Sequence, residues 1–241
     1  MIFEKPDLSV VVLGYGAEEA LPDFVSALIE KLETARIQSF QIIIVANFHD
    51  TLPKDRTPEI AQDLASRDGR IKVVARPKQG MMGWDARTGL AAADGSLIAL
   101  IDGDGQMPPE DIIRAYKVML TGEFDFVKTY RVTRGDGAVR LLTSKGFNIL
   151  FKLFFPRSQF RDINSKPKFF SRDALRQMRL TCDGWFLDGE IMLEVHRLRL
   201  VYAEIPTHFK NNEWRGSFVR ASTVLEMIKS MVTHRLRLLK K

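Results

Sequence analysis

At 241 residues the chain is long enough to bury a full core as one domain or one domain with an extension, and 45% hydrophobic with 27% charged residues is a globular rather than a disordered balance. A single cysteine, Cys182, and four scattered histidines exclude a disulfide framework and offer no zinc pattern; the opening MIFEKPD is unlike a signal peptide, no uncharged stretch reaches the roughly 20 residues of a membrane span, and a reducing, cytoplasmic setting is expected. The excess of 36 Lys and Arg over 30 Asp and Glu, a net charge of +6, points to acidic partners such as phosphorylated substrates, an anionic membrane surface or nucleic acid.

In chain order, strand-like and helix-like segments alternate through the first half, the pattern of βαβ units on a parallel sheet and hence an α/β fold. Strands are predicted at Ser9–Leu13, Gln41–Val45, Ile71–Ala75, Leu97–Ile101 and Phe124–Lys128. Between them, helices are predicted at Leu21–Ala35, Pro58–Arg67, Asp85–Ala93 and Pro109–Leu120, the last with Pro109 at its first turn. Ala138–Phe155 then reads as a long helix with Phe147, Leu150, Phe151 and Phe154 on one face, followed by a strand at Lys168–Phe170, helices from Arg172 and around Glu190–Arg197, and a strand at Leu200–Glu204 that Pro206 breaks. In the tail, Leu225, Ile228, Val232, Leu236 and Leu239 form a helical stripe with Lys229, Arg235, Arg237, Lys240 and Lys241 largely outside it. That stripe is expected mainly to pack on the core or on a partner subunit, with contact to an anionic membrane as an addition.

The segment with most chemical content is SLIALIDGDGQ, starting at Ser96. Leu97 to Ile101 is a continuous apolar run, as expected of a strand buried on both faces, so Asp102 and Asp104 fall at its carboxyl end, where open α/β sheets bind ligands. Two carboxylates there, with Gln106 offering a third oxygen, suit Mg²⁺ or Mn²⁺ shared with phosphate oxygens, although Asp and Gly also make ordinary turns. After the first strand, Gly14-Tyr15-Gly16-Ala17-Glu18-Glu19 looks at first like a dinucleotide-binding turn. Glu19 occupies the position that motif gives to Gly or Ala, a carboxylate there would repel a pyrophosphate, and the second strand ends in Ala46-Asn47 with no acid for a ribose hydroxyl. A Rossmann oxidoreductase is therefore rejected.

The stretch from Arg76 to Asp111, with Gly80, Ala86, Gly89-Leu90, Asp102-Gly103-Asp104-Gly105-Gln106 and Pro109-Glu110-Asp111, closely resembles glycosyltransferase family 2, nearest to the dolichyl- or polyprenyl-phosphate sugar synthases. The resemblance implies a GT-A-like, Rossmann-type mixed sheet flanked by helices. It implies metal ligation by Asp102, Asp104 and Gln106, and a nucleoside diphosphate sugar as donor. Tyr15, Glu19, Asn47 and Gly80 fall on the nucleotide side, where Leu13-Gly14-Tyr15 and Val45-Ala46-Asn47 depart from the family's acidic motifs. Farther on, Tyr130-Arg131 and Arg140-Leu141-Leu142-Thr143-Ser144-Lys145-Gly146-Phe147-Asn148 resemble segments that bind the acceptor phosphate in the lipid-phosphate branch, which assigns Arg131, Arg140 and Ser144 to that role. Asp162-Ile163-Asn164-Ser165-Lys166 lies where many relatives have D-x-x-S-G, with Lys166 in place of the glycine. Asp188 and Glu190 match an acidic segment before a helix and are candidates for a base or for helix capping.

The expected function is thus metal-dependent, inverting transfer of a sugar to a polyprenyl phosphate, an acceptor that is ionised near neutrality and needs no general base. Transfer to a sugar hydroxyl in glycan or cell-envelope synthesis, with Asp188 or Glu190 as base, is the alternative, and a non-catalytic nucleotide- or carbohydrate-binding relative is a further one. A nucleotidyltransferase is disfavoured because no lysine-bearing glycine-rich loop follows the first strand. No nucleic-acid partner is expected. The matching segments span about Ser9 to Ser217, so residues 1–217 are read as the catalytic domain and 218–241 as a basic amphipathic helix, peripheral on the cytoplasmic face of a membrane if it touches one.

Overall fold

A computed structural model describes residues 5–50, 54–134, 138–156, 158–209 and 221–239. In order, the elements are β1 (Leu8–Leu13), α1 (Ala20–Thr34), β2 (Phe40–Val45), α2 (Thr57–Arg67), β3 (Ile71–Val74), α3 (Met82–Ala91), β4 (Leu97–Asp102), α4 (Glu110–Met119), β5 (Phe126–Arg134), α5 (Ala138–Phe154), β6 (Lys168–Ser171), α6 (Arg172–Gln177), α7 (Leu187–Arg197), β7 (Tyr202–Phe209) and α8 (Ala221–Leu239). The strands form one seven-stranded sheet in the order β3-β2-β1-β4-β6-β5-β7. Only β6 runs antiparallel to its neighbours, β4 and β5, so the sheet is mixed, as expected. The apolar run before the two aspartates is buried on both faces because β4 is central.

Alternation along each strand sends side chains to two apolar layers. Val10, Val12, Ile42, Ile44 and Ile101 meet Leu21 and Leu28 of α1 and Ile112 of α4 on one face. Val11, Ile43, Val45, Ile98 and Leu100 meet Leu90 of α3, Phe147 and Phe151 of α5, and Leu187 and Ile191 of α7 on the other. Gly89 is needed for that second layer, since a Cβ there would come within 2.4 Å of Val11 Cγ1 and 2.5 Å of Val45 Cγ2.

Three expectations are corrected. β5 extends past Lys128 to Arg134 although its second half is polar, because β7 pairs with it in parallel from Phe126↔Tyr202 to Arg134↔Phe209. Pro206 lies inside β7 rather than ending it; β7 is the edge strand, where a missing N–H costs no ladder bond, and the Pro206 carbonyl accepts from Arg114. The tail stripe faces outward. Met227 and Met231 bury α8 against the second layer, whereas Leu225, Val232 and Leu236 are exposed. A four-residue period fits both sides of α8, and its neighbours, α5 and the 185–190 segment, decide which side is covered. The side chain of Leu239 lies outside the described residues. No helix among the described residues is long and apolar enough to cross a membrane.

Candidate active site

At the carboxyl end of β4, Asp102 stands level with Leu13 of β1, and the Gly103 N–H donates to the Leu13 carbonyl at 2.9 Å. Gly105, with φ of +73°, turns the chain sharply, and Asp104 Oδ1 accepts from the Gln106 N–H at 3.0 Å, which fixes the acidic turn. The Asp102 side chain is 34% exposed and thus reachable. Asp102, Asp104 and Gln106 offer hard oxygen donors, and no group of three or more His, Cys, Asp or Glu poised for a metal exists among the described residues. Such a set fits Mg²⁺ or Mn²⁺ provided that further oxygens, as from a diphosphate, complete the coordination.

Behind the turn lies a cluster of lysines that the sequence reading did not place. Lys166 Nζ stands 3.3 Å from both carboxylate oxygens of Asp102 and donates at 3.3 Å to Asp188 Oδ2. Lys168, the first residue of β6, donates to Asp188 Oδ1 at 2.7 Å and to the Ser165 carbonyl at 2.9 Å. Lys128 of β5 donates to the Thr129 carbonyl at 2.6 Å, to the Asp162 carbonyl, and to Glu204 Oε1 at 3.3 Å. All three lysines are buried. Burial pulls the Lys168 ammonium down to about 7, with Asp188 opposing and the neighbouring lysines adding to the fall. It lowers Lys128 as well, against the pull of Glu204. For Lys166 burial acts the same way but is outweighed by the charges of Asp102 and Asp188, so its ammonium is held above the ordinary lysine value. Asp188, likewise buried, is kept below the usual carboxylate range by Lys166 and Lys168. One hint was legible: a Lys-x-Lys pair entering an otherwise apolar strand, Lys166-Pro167-Lys168-Phe169-Phe170, must find buried anions.

The other expected site residues divide clearly. Arg131 of β5 reaches Asp162 with two bonds, Nε to Oδ2 at 2.7 Å and Nη2 to Oδ1 at 2.9 Å, close to this cluster in sequence and sheet. Arg140 and Ser144 fall on the first half of α5, and their side chains lie outside the described residues. Glu190 does not join Asp188. Its carboxylate accepts from the Thr181 N–H (2.9 Å), Thr181 Oγ1 (2.7 Å) and the Cys182 N–H (2.8 Å), and His234 Nε2 of α8 lies 3.3 Å away. Glu190 thus holds the segment leading into α7, and α7 turns residues 188 and 190 in different directions.

Across the sheet, Asn47 is fully buried and donates to Asp85 Oδ1 at 2.9 Å and Thr88 Oγ1 at 3.0 Å, while its own Oδ1 accepts from the Arg76 N–H at 3.0 Å. Lys78 closes this group by pairing with Asp85 Oδ2. The Lys78 ammonium also sits 4.0 Å from the centre of the Tyr15 ring, whose edge meets His49. Asn47 thus ties β2 to α3. Glu19 is largely exposed and pairs with Arg56 at 3.4 Å. Gly80 lets the start of α3 press on the 182–184 segment, since a Cβ would stand 2.7 Å from the Asp183 carbonyl oxygen.

An acidic turn at the end of a central strand, backed by buried lysines paired with carboxylates, forms the centre of this site. Residues 9–181 match the model of glycosyl transferase family 2, and the chain belongs to that family. It is 25% identical over 244 residues to a dolichyl-phosphate beta-glucosyltransferase of Trichomonas vaginalis, covering 94% of this chain and 72% of that protein. Against an undecaprenyl-phosphate 4-deoxy-4-formamido-L-arabinose transferase of Pectobacterium carotovorum the identity is 32% over 157 residues, which is 63% of this chain and 45% of that one, so the chain spans less than half of that relative. The fold is shared with glucosyl-3-phosphoglycerate synthase from Mycobacterium tuberculosis, solved with Mn²⁺, uridine diphosphate and phosphoglyceric acid, at a TM-score of 0.67 and 19% identity over 95% of this chain and 78% of that one. The fold is that of the GT-A glycosyltransferases.

Proposed function

We propose that this chain transfers a sugar from a nucleoside diphosphate sugar to a polyprenyl phosphate, in a reaction that needs Mg²⁺ or Mn²⁺ and inverts the sugar's anomeric centre. The observation that carries this reading is the juxtaposition of the Asp102 turn with Lys166 and Asp188. Asp102, Asp104 and Gln106 would hold the metal, which when bound neutralises charge developing on the leaving diphosphate. The hydrogen bonds of Asp188 to two lysines and of Glu190 to the 181–182 segment support a reaction that uses neither as its base. An acceptor already ionised near neutrality needs neither. Arg131, with Arg140 and Ser144 of α5, is the natural seat for the acceptor phosphate. The relatives' printed substrates, dolichyl and undecaprenyl phosphates, point to the same acceptor class.

A lipid-borne acceptor also gives sense to the exposed apolar side chains of α5 and α8, two helices that pack on each other: Ile149, Leu153, Leu225, Val232 and Leu236, with exposed Lys152 and Lys229 beside them. We read this face as peripheral on an anionic, cytoplasmic-side membrane. The chain should sediment with anionic liposomes at low salt, and Leu153→Ser with Leu236→Ser should leave it in the supernatant; unchanged sedimentation of the double variant would remove this face from the reading. The reaction itself is tested by offering polyprenyl phosphate with Mn²⁺ and a panel of uridine and guanosine diphosphate sugars. Formation of a lipid-linked sugar by at least one donor supports the assignment. Transfer only to sugar hydroxyls would overturn the acceptor, and binding of nucleotide without any transfer would overturn the activity.

A further inference from the structure

Lys166 raises a problem for any divalent cation at Asp102. A metal coordinated about 2.1 Å from either Asp102 oxygen would lie within about 5.4 Å of Lys166 Nζ, because that nitrogen is 3.3 Å from both oxygens. The lysine is ill placed to withdraw: its side chain is 5% exposed, and its other partner, Asp188, is 3% exposed and already held by Lys168 at 2.7 Å. Once a metal takes Asp102, Lys166 has only Asp188 left, which it shares with Lys168. Repulsion at such a range in a partly buried site is little screened by salt. Among the described residues the Lys166 ammonium faces three carboxylate oxygens at 3.3 Å, both of Asp102 and Oδ2 of Asp188. A diphosphate arriving at the acidic turn could take over the hydrogen bonding that Asp102 gives up to the metal, neutralise the ammonium and supply the oxygens that Asp102, Asp104 and Gln106 lack.

We propose that Lys166 makes divalent-metal binding conditional on the nucleoside diphosphate, by holding Asp102 until the diphosphate takes up the lysine's charge. Metal and nucleotide then load as a coupled pair, and the protein-bound metal without donor does not accumulate. The inference rests on the metal-dependent reading above and adds to it a residue that resists the metal.

Mn²⁺ binding to the full chain, followed through the resonance of free Mn²⁺ with and without UDP or GDP and corrected for metal bound by nucleotide in solution, tests this. The wild-type protein should bind Mn²⁺ at least about tenfold more tightly when diphosphate is present. In Lys166→Met, Mn²⁺ alone should bind at least about fivefold more tightly and the coupling should shrink by a similar factor; reciprocity requires the gain in nucleotide affinity caused by Mn²⁺ to shrink equally. Lys166→Arg, which keeps the charge, should retain the coupling, and Lys166→Gln serves as a second neutral variant if the methionine one melts early. Full coupling in a folded neutral variant overturns the proposal, as does a wild-type protein that binds Mn²⁺ equally well with and without diphosphate. If neither diphosphate brings Mn²⁺ to the wild-type protein at all, the metal-dependent reading itself fails, a result distinct from metal binding without coupling.

Discussion

Two lysine-aspartate groups sit at carboxyl ends of strands in this sheet, and they are built for different ends. In the first, Asp85 has one oxygen on Asn47 and the other on Lys78, both partners are nearly sealed from solvent, and the group ties β2 to α3. In the second, Lys166 bridges a sealed Asp188 to an Asp102 that remains a third exposed. The open one has an accessible carboxylate and an acidic turn beside it. The same pair of residue types therefore stands sealed from solvent in one place and beside an accessible carboxylate in the other, and only the second can be reached by a ligand.

The sharpest way to break this contrast is at the open end. Asp102→Asn and Asp104→Asn should each lower transfer per folded molecule by at least about a hundredfold, because each removes a metal ligand; Asp102→Asn also takes an anion from the buried Lys166, so its melt should fall as well, whereas that of Asp104→Asn should stay close to wild type. Excess EDTA should reproduce the loss; transfer that persists in EDTA would end the metal assignment. At the closed end the effect should move from activity to stability. Lys78→Met leaves Asp85 buried without its cation, and since burial already pushes the Asp85 carboxyl up, with Lys78 opposing, protonation limits the cost to about 2 kcal/mol. Denaturant unfolding would read that loss, and transfer per folded molecule should hold within about twofold; a collapse of activity in the folded variant would make this group part of the donor site.

A smaller effect is expected at Arg131. Arg131→Ala should raise KM for polyprenyl phosphate about tenfold and leave donor affinity within about twofold, with Arg131→Lys recovering part of the loss through its charge. Equal losses on both substrates would assign the Asp162 pair to the fold. The smallest should appear at Glu190, a second closed group. Its carboxyl is pushed up by burial but held below the usual range overall by His234, Cys182 and Thr181, so the ionised form stabilises the native state above the unfolded value near 4.3 and that contribution is lost as pH falls through the lower native one. Glu190→Gln should flatten the acid limb of the stability curve below about pH 4.3, and an unchanged limb would refute the anchoring role.

Periodicity and spacing settled much of this protein before any coordinates. The alternation of apolar strands and helices, the central position implied by the uninterrupted run Leu97 to Ile101, and the Asp102-Gly103-Asp104-Gly105-Gln106 turn are local properties, and hydrophobic burial together with turn chemistry reads them directly. The polar half of β5 and a proline inside β7 could not be read that way, because only the pairing of the two strands makes them a ladder. Nor could the outward face of α8, where apolar residues on two sides compete and its neighbours decide. Lys166 and Asp188 are 22 residues apart, and Lys166 and Asp102 are 64 apart. Sequence determined that these charges exist and that the chain must bury some of them; which ammonium meets which carboxylate, and which carboxylate stays open, was decided by the antiparallel entry of β6 beside β4, since electrostatic partners are chosen by distance in space and the chain encodes distance only along itself.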